Sequence, residues 1–329
     1  MNTDSQTPAR TYPEDGFPEL DSLLTPEELP EDHRSGFVGI IGKPNVGKST
    51  LLNRLLGEKV AIVSHKAQTT RDRILGILTL PDRAQIVFVD TPGMHDPRNP
   101  LGEYMVQTVS GVISDADAIL WMTDISRPPS DEDRQIAGLL KHRKDLPVVL
   151  VLNKADLVNE ETAAQRRTAY QQVLPGDLWE MISATEGRAV NRLLDRIVDL
   201  LPRGPLYYPP DQYTDQEERK IAAELIREQI LELTSQEIPH AVAVRVEEFK
   251  RRENDMVYIR ANIYVERDSQ KGIVIGKRGS MLKRIGKASR KEIQQILGQK
   301  AYLDLWVKVQ KNWRKNKQKM KWLGYVFSD

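Results

Sequence analysis

Residues 36–50 read GFVGIIGKPNVGKST, and this stretch decides the fold. Phe37 to Ile41 is a short apolar run of the kind that makes a buried strand. It passes directly into Gly42-Lys43-Pro44-Asn45-Val46-Gly47-Lys48-Ser49, which fits G-x-x-x-x-G-K-[ST]. Thr50 to Leu56 then has helical character and is closed by Gly57. Strand, glycine loop and helix in that order are the setting of a phosphate-binding loop. Glycines let the backbone turn and aim several N–H groups at phosphate oxygens. The helix N-terminus adds the positive end of its dipole. In this reading residues 42–49 cradle a nucleoside triphosphate, Lys48 reaches its β- and γ-phosphates, and Ser49 binds Mg²⁺.

Working outward, Ala84 to Val89 is an apolar strand ending at Asp90-Thr91-Pro92-Gly93. An Asp closing an apolar strand just before a glycine turn is where a P-loop enzyme places its Mg²⁺-shell carboxylate. Upstream, Lys59 to Val63 and Ile74 to Leu78 read as strands on either side of a polar stretch. Downstream, strands are predicted over 118–124, 147–152 and 180–184. They alternate with helices over 101–115, 130–144, 161–172 and 190–201. That alternation specifies an α/β fold with a mainly parallel, helix-flanked sheet over residues 36–201. The ligand of such a sheet sits at the carboxyl ends of its strands, where these motifs fall.

The base is chosen by Asn153-Lys154-Ala155-Asp156, at the end of the 147–152 strand. A carboxylate at Asp156 can accept two hydrogen bonds from N1–H and the exocyclic amine of guanine. Adenine offers no matching donor pair, so it would leave the carboxylate unpaired. Asn153 would brace the neighbouring loops and Lys154 would lie along the base. Ser183-Ala184, at the next strand end, would offer a backbone N–H to the guanine oxygen. The predicted ligands are therefore GTP and GDP.

The C-terminal part reads differently. Residues 202–215 are Pro- and Tyr-rich without a period and form a linker. Residues 216–235 make an amphipathic helix, broken at Pro239, with Ile221, Leu225, Ile230 and Leu233 on one side. Alternating Val242, Val244, Val246 and Val257, Ile259, Ala261, Ile263, Val265 give two strands with one buried face. Gly276-Lys277-Arg278-Gly279 follows, set between short apolar segments. Its glycines free the backbone to approach a sugar-phosphate chain and its cations supply charge, as in the clamp of a KH domain. A last strand, Tyr302 to Val309, completes the order of a smaller α+β KH domain of type II over 216–329. Trp306, Trp313 and Trp322 lie among basic residues. Trp306 is expected in the core because its strand alternates, and none of the three is singled out for base stacking.

The 329 residues carry a net charge of only +1. Within 267–321, however, 17 Lys and Arg face three acids, so this region binds polyanions. The basic tail, Lys311 to Lys321, is suited to touching phosphate nonspecifically. Residues 1–35 form an acidic arm, Pro-rich and without lasting periodicity, so they are expected to be disordered. They resemble neither a transit peptide nor a secretory signal. Leu20, Leu23 and Leu24 could make a single helical turn. The chain has no cysteine, which excludes disulfides and thiolate metal sites, and no apolar run long enough to span a membrane.

The order of motifs over 36–201 resembles a translation-factor-type GTPase, and the switch segments resemble those of the Era family. Gln68-Thr69-Thr70-Arg71-Asp72-Arg73 is similar to that family's first switch. Asp90-Thr91-Pro92-Gly93-Met94-His95 with Leu101-Gly102-Glu103-Tyr104-Met105 is similar to its second. Glu266 to Gly272 and Lys308 to Trp313 extend the resemblance into the second half. It implies that Thr70 closes on Mg²⁺ when the γ-phosphate is present. Met94 stands where Ras-like enzymes carry a water-orienting glutamine, and a thioether cannot do that work. The resemblance therefore implies slow intrinsic turnover, with a potassium ion, held partly by Asn45, meeting transition-state charge. It further implies RNA binding near the 3′ end of small-subunit ribosomal RNA, assistance to 30S subunit assembly, and a monomeric cytoplasmic protein. Two other classes fit the same residues. One is an RNA-binding module whose nucleotide is a structural ligand. The other is a GTPase peripheral to the inner face of the cell membrane, its basic tail meeting anionic lipid.

Overall fold

The computed structural model describes residues 29–325 except 65, 67, 68, 95, 96, 98, 144, 235–237 and 253–255. The acidic arm up to residue 28, its turn at Leu20, Leu23 and Leu24, and Gln68 and His95 of the switch motifs lie outside the described residues.

The first half is built on strands β1 (Arg34–Ile41), β2 (Ile74–Leu80), β3 (Ala84–Asp90), β4 (Ala118–Asp124), β5 (Val148–Asn153) and β6 (Trp179–Met181). Their order in the sheet is β2-β3-β1-β4-β5-β6. Every neighbouring pair is parallel except β2 with β3. Every residue of β3 and β4 is buried, which explains their continuous apolar runs: helices cover both faces. On one face lie α1 (Lys48–Leu56) and, late in the chain, α5 (Val190–Leu200). Leu51, Leu52 and Leu55 of α1 pack in one core with Leu193 and Ile197 of α5. On the other face lie α2 (Pro100–Asp115), α3 (Asp131–Lys141) and α4 (Glu160–Val173), contributing Val109, Ile136 and Tyr170 to a second core. Asn99, Ser130 and Asn159 cap the last three helices at their N-termini through side-chain oxygens.

The second half runs α6 (Glu218–Leu233), α7 (Ile238–Ala241), β7 (Ala243–Arg251), β8 (Met256–Val265), α8 (Asp268–Ile275), α9 (Ser280–Leu297), β9 (Lys300–Val309) and the short α10 (Lys317–Trp322). The three strands lie in the order β7-β8-β9, with β7 antiparallel and β9 parallel to β8. Helices α6, α8 and α9 cover one face and share its core through Leu225, Val274 and Ile293. The linker lies along the first sheet: Ile77 N–H donates to Tyr213 O at 2.8 Å, and the Gln85 side chain accepts from the amides of Tyr207 and Tyr208. Among the described residues no helix is long and apolar enough to cross a membrane.

Three expectations change. Lys59 to Val63 forms no strand. Side chains take its backbone instead: Asn53 Oδ1 accepts from Val60 and Ala61 N–H at 3.0 and 2.9 Å, and Glu228 accepts from Val63 N–H at 2.8 Å. Pro239 does not mark the end of the amphipathic helix. That helix closes at Leu233, and the proline sits in the first turn of α7. Trp306 is not in the core. It is 56% exposed, because Ala301, Leu303, Leu305 and Val307 hold the inward parity of β9.

Candidate functional site

The strands β1, β3, β4 and β5 all end on one side, and the loops leaving them meet there. The glycine loop leaves β1 and enters α1 through Gly47, whose φ of 104° favours glycine. A Cβ at Gly47 would also run into the Asn153 amide, and one at Gly42 into the Met122 carbonyl oxygen. Lys43 points away from this centre: its Nζ pairs with Asp133 Oδ2 at 2.7 Å and ties the loop to α3. Asn45 lies at φ 63°, and with Pro44 it lines the pocket that Lys48, Ser49 and Thr70 also line. Val46 is buried beneath the loop, and its carbonyl accepts from Asn153 Nδ2 at 2.8 Å.

Lys48 Nζ donates to the carbonyl oxygens of Gly42 and Lys43, both at 3.1 Å. Burial pushes its ammonium group down to about 8, although the carboxylate of Asp90 pulls the other way. Asp90 is fully buried at the end of β3, and burial raises its pKa despite Lys48 and the hydroxyls around it. Ser49 Oγ donates to Asp90 Oδ2 at 2.6 Å, and Thr70 Oγ1 lies 3.1 Å from Ser49 Oγ. Asp90 Oδ1 is buried and has no hydrogen-bond partner among the described residues. Two hydroxyls and an orphaned carboxylate oxygen are the hard oxygen donors that Mg²⁺ selects, so the residues fit that ion. Thr91 Oγ1 donates to Ile40 O at 2.8 Å, holding the turn to β1. Beyond buried Pro92, a Cβ at Gly93 would come within 2.7 Å of Pro44 Cα, so the two loops touch. Met94 is buried and its N–H donates to Gly42 O at 3.2 Å.

At the end of β5, Asn153 joins two loops: it donates to Val46 O and accepts from Ala184 N–H at 2.9 Å. Of the Ser183-Ala184 pair expected to offer a backbone N–H to guanine, Ser183 N–H donates to Arg188 O at 3.2 Å and Ala184 N–H to Asn153. Ser183 is buried, and its Oγ accepts from Glu186 N–H at 3.1 Å. Lys154 Nζ is held by Asp124 Oδ2 at 2.7 Å. Burial alone would raise the Asp124 carboxyl, but hydrogen bonds from Lys154 and Ser126 outweigh it and leave the pKa lowered. Asp156 is exposed on a 3-10 turn, Ala155–Leu157, on the same side of the sheet.

Sequence reasoning missed Asp124 and Asp133. Asp124 had a signal, since it closes an apolar strand as Asp90 does. The positioning role of Asp133 had none beyond an ordinary capping pattern.

The first switch leaves the nucleotide site and enters the second half of the chain. Arg71 is buried, and its guanidinium donates to Val242 O at 2.7 Å and to Pro239 O at 2.9 Å. It also stands 5.6 Å from the Trp313 ring centroid. Arg227 of α6 bonds the carbonyl of Thr69. Ile62 belongs to the core of the second sheet, and Lys59 pairs with Glu228 and Glu292 at 2.7 and 3.0 Å.

In the second half, Gly276 to Gly279 join α8 to α9 through a tight turn. Gly276, Arg278 and Gly279 have φ of 70°, 53° and 79°, so three of four residues have positive φ. A Cβ at Gly276 would lie 2.8 Å from Met281 N, whereas nothing stands within 4 Å of one at Gly279. Lys277 and Arg278 are exposed at the tip.

Fold and site define a P-loop GTPase with a C-terminal KH domain. The model of the family described as 50S ribosome-binding GTPase matches residues 37–154, and that of the KH domain matches 237–314. A crystal structure of Aquifex aeolicus Era bound to GDP and aluminium fluoride is 39% identical, with a TM-score of 0.86. The match covers 89% of this chain and all of that one. A structure of Era with MgGDPNP and nucleotides 1506–1542 of 16S ribosomal RNA matches at the same identity and TM-score, over 90% of this chain and all of that one. The chain belongs to the Era family.

Proposed function

We propose that this chain is a GTP-binding and GTP-hydrolysing switch that binds small-subunit ribosomal RNA near its 3′ end and assists 30S subunit assembly. One observation carries the reading. Thr70 stands beside Ser49 and Asp90, while its neighbour Arg71 is buried in the KH domain. A single peptide step therefore links the nucleotide to the domain that would hold RNA. The related Era that was captured with 16S ribosomal RNA supports the choice of RNA.

Ser49, Thr70 and Asp90 would hold Mg²⁺, which would offset charge on the triphosphate oxygens. Lys48 would bind the β- and γ-phosphates, and the backbone of 42–49 would orient them. Asp156 would accept from the guanine edge. Asn153 keeps the phosphate loop and the Ser183-Ala184 turn in register with it. Met94 offers no hydrogen bond to a water, so hydrolysis relies on positioning and on cations. Asn45, with its left-handed backbone in the loop, would help to hold the potassium ion. Gly276, Lys277, Arg278 and Gly279 would clamp the RNA backbone.

The test is affinity for an RNA copying the small-subunit 3′ end, measured with a non-hydrolysable GTP analogue and with GDP. Tighter binding with the analogue is expected, with loss in both states in Gly279→Asp. That substitution strains a left-handed residue but meets no neighbour, so the domain stays folded. Equal affinity in the two nucleotide states would overturn the switch reading, and no binding at all would overturn the RNA reading.

A further inference from the structure

The KH sheet has two faces, and the clamp belongs to the one that α8 and α9 cover. The other face is covered at its Tyr264 end by Trp322 and Met320 of α10 and is open around Tyr302 and Trp306. The register of β8 with β9 pairs Tyr258 with Tyr302, Arg260 with Asp304 and Asn262 with Trp306 on that outer side. Tyr302 is 53% and Trp306 56% exposed. Rings of this size left in water on a monomer's surface forgo a large burial gain. One of them is also braced by a neighbouring ring. Tyr258 and Tyr302 stack with centroids 5.9 Å apart and planes 12° from parallel. The guanidinium of Arg252 lies 4.8 Å from the Tyr258 centroid. Four residues apart on one strand, Tyr302 and Trp306 are separated by about 13 Å, enough to receive two separate bases.

The charges indicate what lies on this face. Its carboxylates are engaged: Glu247 with Asn262 and Tyr264, Glu248 with Lys250 and Arg260, and Asp304 with the Tyr258 hydroxyl. Lys300 and Lys308 flank the two exposed rings on the same side of β9 and are exposed, and the Lys308 charge also acts on Glu247. Exposed aromatic rings with exposed cations beside them on a sheet face are the chemistry that receives single-stranded nucleic acid. Cations beside the rings favour a phosphate-bearing partner over a protein one.

We infer that the outer face of the KH sheet is a second contact surface for single-stranded RNA, with bases stacking on Tyr302 and Trp306 and phosphates meeting Lys300 and Lys308. This inference rests on the RNA-binding reading above, and β9 is the edge strand over which an RNA leaving the clamp would pass.

The experiment uses the full chain with two RNAs ending at the small-subunit 3′ end, one of about 12 nucleotides and one of about 36. The double variant Tyr302→Ala, Trp306→Ala changes only exposed side chains, so its GTP affinity serves as the folding control. Affinity for the longer RNA is expected to fall roughly tenfold or more, while the shorter RNA binds as before. Gly279→Asp is expected to weaken both. Unchanged affinity of the double variant for the longer RNA overturns the inference, and it leaves the clamp reading intact if Gly279→Asp still weakens both. Unchanged RNA affinity together with lost binding to intact small subunits would assign the face to a ribosomal protein and likewise overturn it.

Discussion

Thr70 and Arg71 are consecutive residues whose side chains serve different halves of the molecule. Thr70 Oγ1 lies 3.1 Å from Ser49 Oγ in the nucleotide site, and the Arg71 guanidinium lies 2.7 Å from the Val242 carbonyl in the KH domain. Arg71 also meets the Tyr325 hydroxyl at 3.4 Å. Any displacement of Thr70 must be carried by the peptide that anchors Arg71. The coupling needs no long chain of intermediates, because both contacts are direct.

Arg71→Ala would strand the buried carbonyls of Pro239 and Val242, at a cost of about 1–3 kcal/mol to domain docking. GTP affinity should change little, because Arg71 does not reach the phosphate loop. RNA affinity should become nearly the same with a GTP analogue and with GDP. A preserved nucleotide dependence of RNA binding would place the coupling elsewhere. Arg71→Lys should fall between, since one ammonium cannot serve both carbonyls with the planar fork of a guanidinium.

Lys48, held down to about 8, gives the pH dependence a definite sign. Below that value free and GTP-bound protein both keep the proton, and Lys48 adds no slope. Above it the free protein loses the proton while a bound triphosphate retains it. GTP binding should then take up a proton and weaken by up to about tenfold per pH unit. Calorimetry near pH 9, in buffers of different ionisation enthalpy, reads the uptake directly; identical heats would mean that free Lys48 stays charged.

Asp156→Asn exchanges an acceptor for a group that also donates. Preference should move from GTP to xanthosine triphosphate by roughly a hundredfold or more. Competition binding checks this, and an unchanged preference would remove Asp156 from base selection.

Asn45→Gly keeps the left-handed turn and removes only the side chain. GTP hydrolysis in potassium should drop to the rate in sodium, with GTP affinity preserved. Potassium stimulation that survives the change would assign the ion to other ligands.

The central motifs were legible because each has its own local signature. Apolar strands ended at Ile41, Asp90 and Asn153, and a strand end is where a parallel sheet holds its ligand. Gly276 and Gly279 announced backbone freedom at the clamp, and both have positive φ. What escaped depends on contacts distant in sequence. Nothing local in Lys59 to Val63 says that Asn53 and Glu228 will take its amides, so a β-rich composition reads as a strand. Arg71 could be matched to a switch motif, yet its partners lie about 170 residues away. Trp306 was a different kind of error. The alternation was read as placing it in the core, yet the parity of Leu303, Leu305 and Val307 in that same alternation already placed it outward.

The linker has a mechanical consequence. Thr214 Oγ1 donates to Leu75 O at 2.7 Å, and α6 begins at Glu218. Only residues 215–217 lie between the last tie to the first sheet and the first turn of the KH domain. A domain so tethered would stay close to β2, and any rotation of it would turn about that point. Small rotations there become wide arcs at positions far from the pivot, so a modest rearrangement at the nucleotide would be geared up into a large sweep of whatever the far end of the KH domain carries.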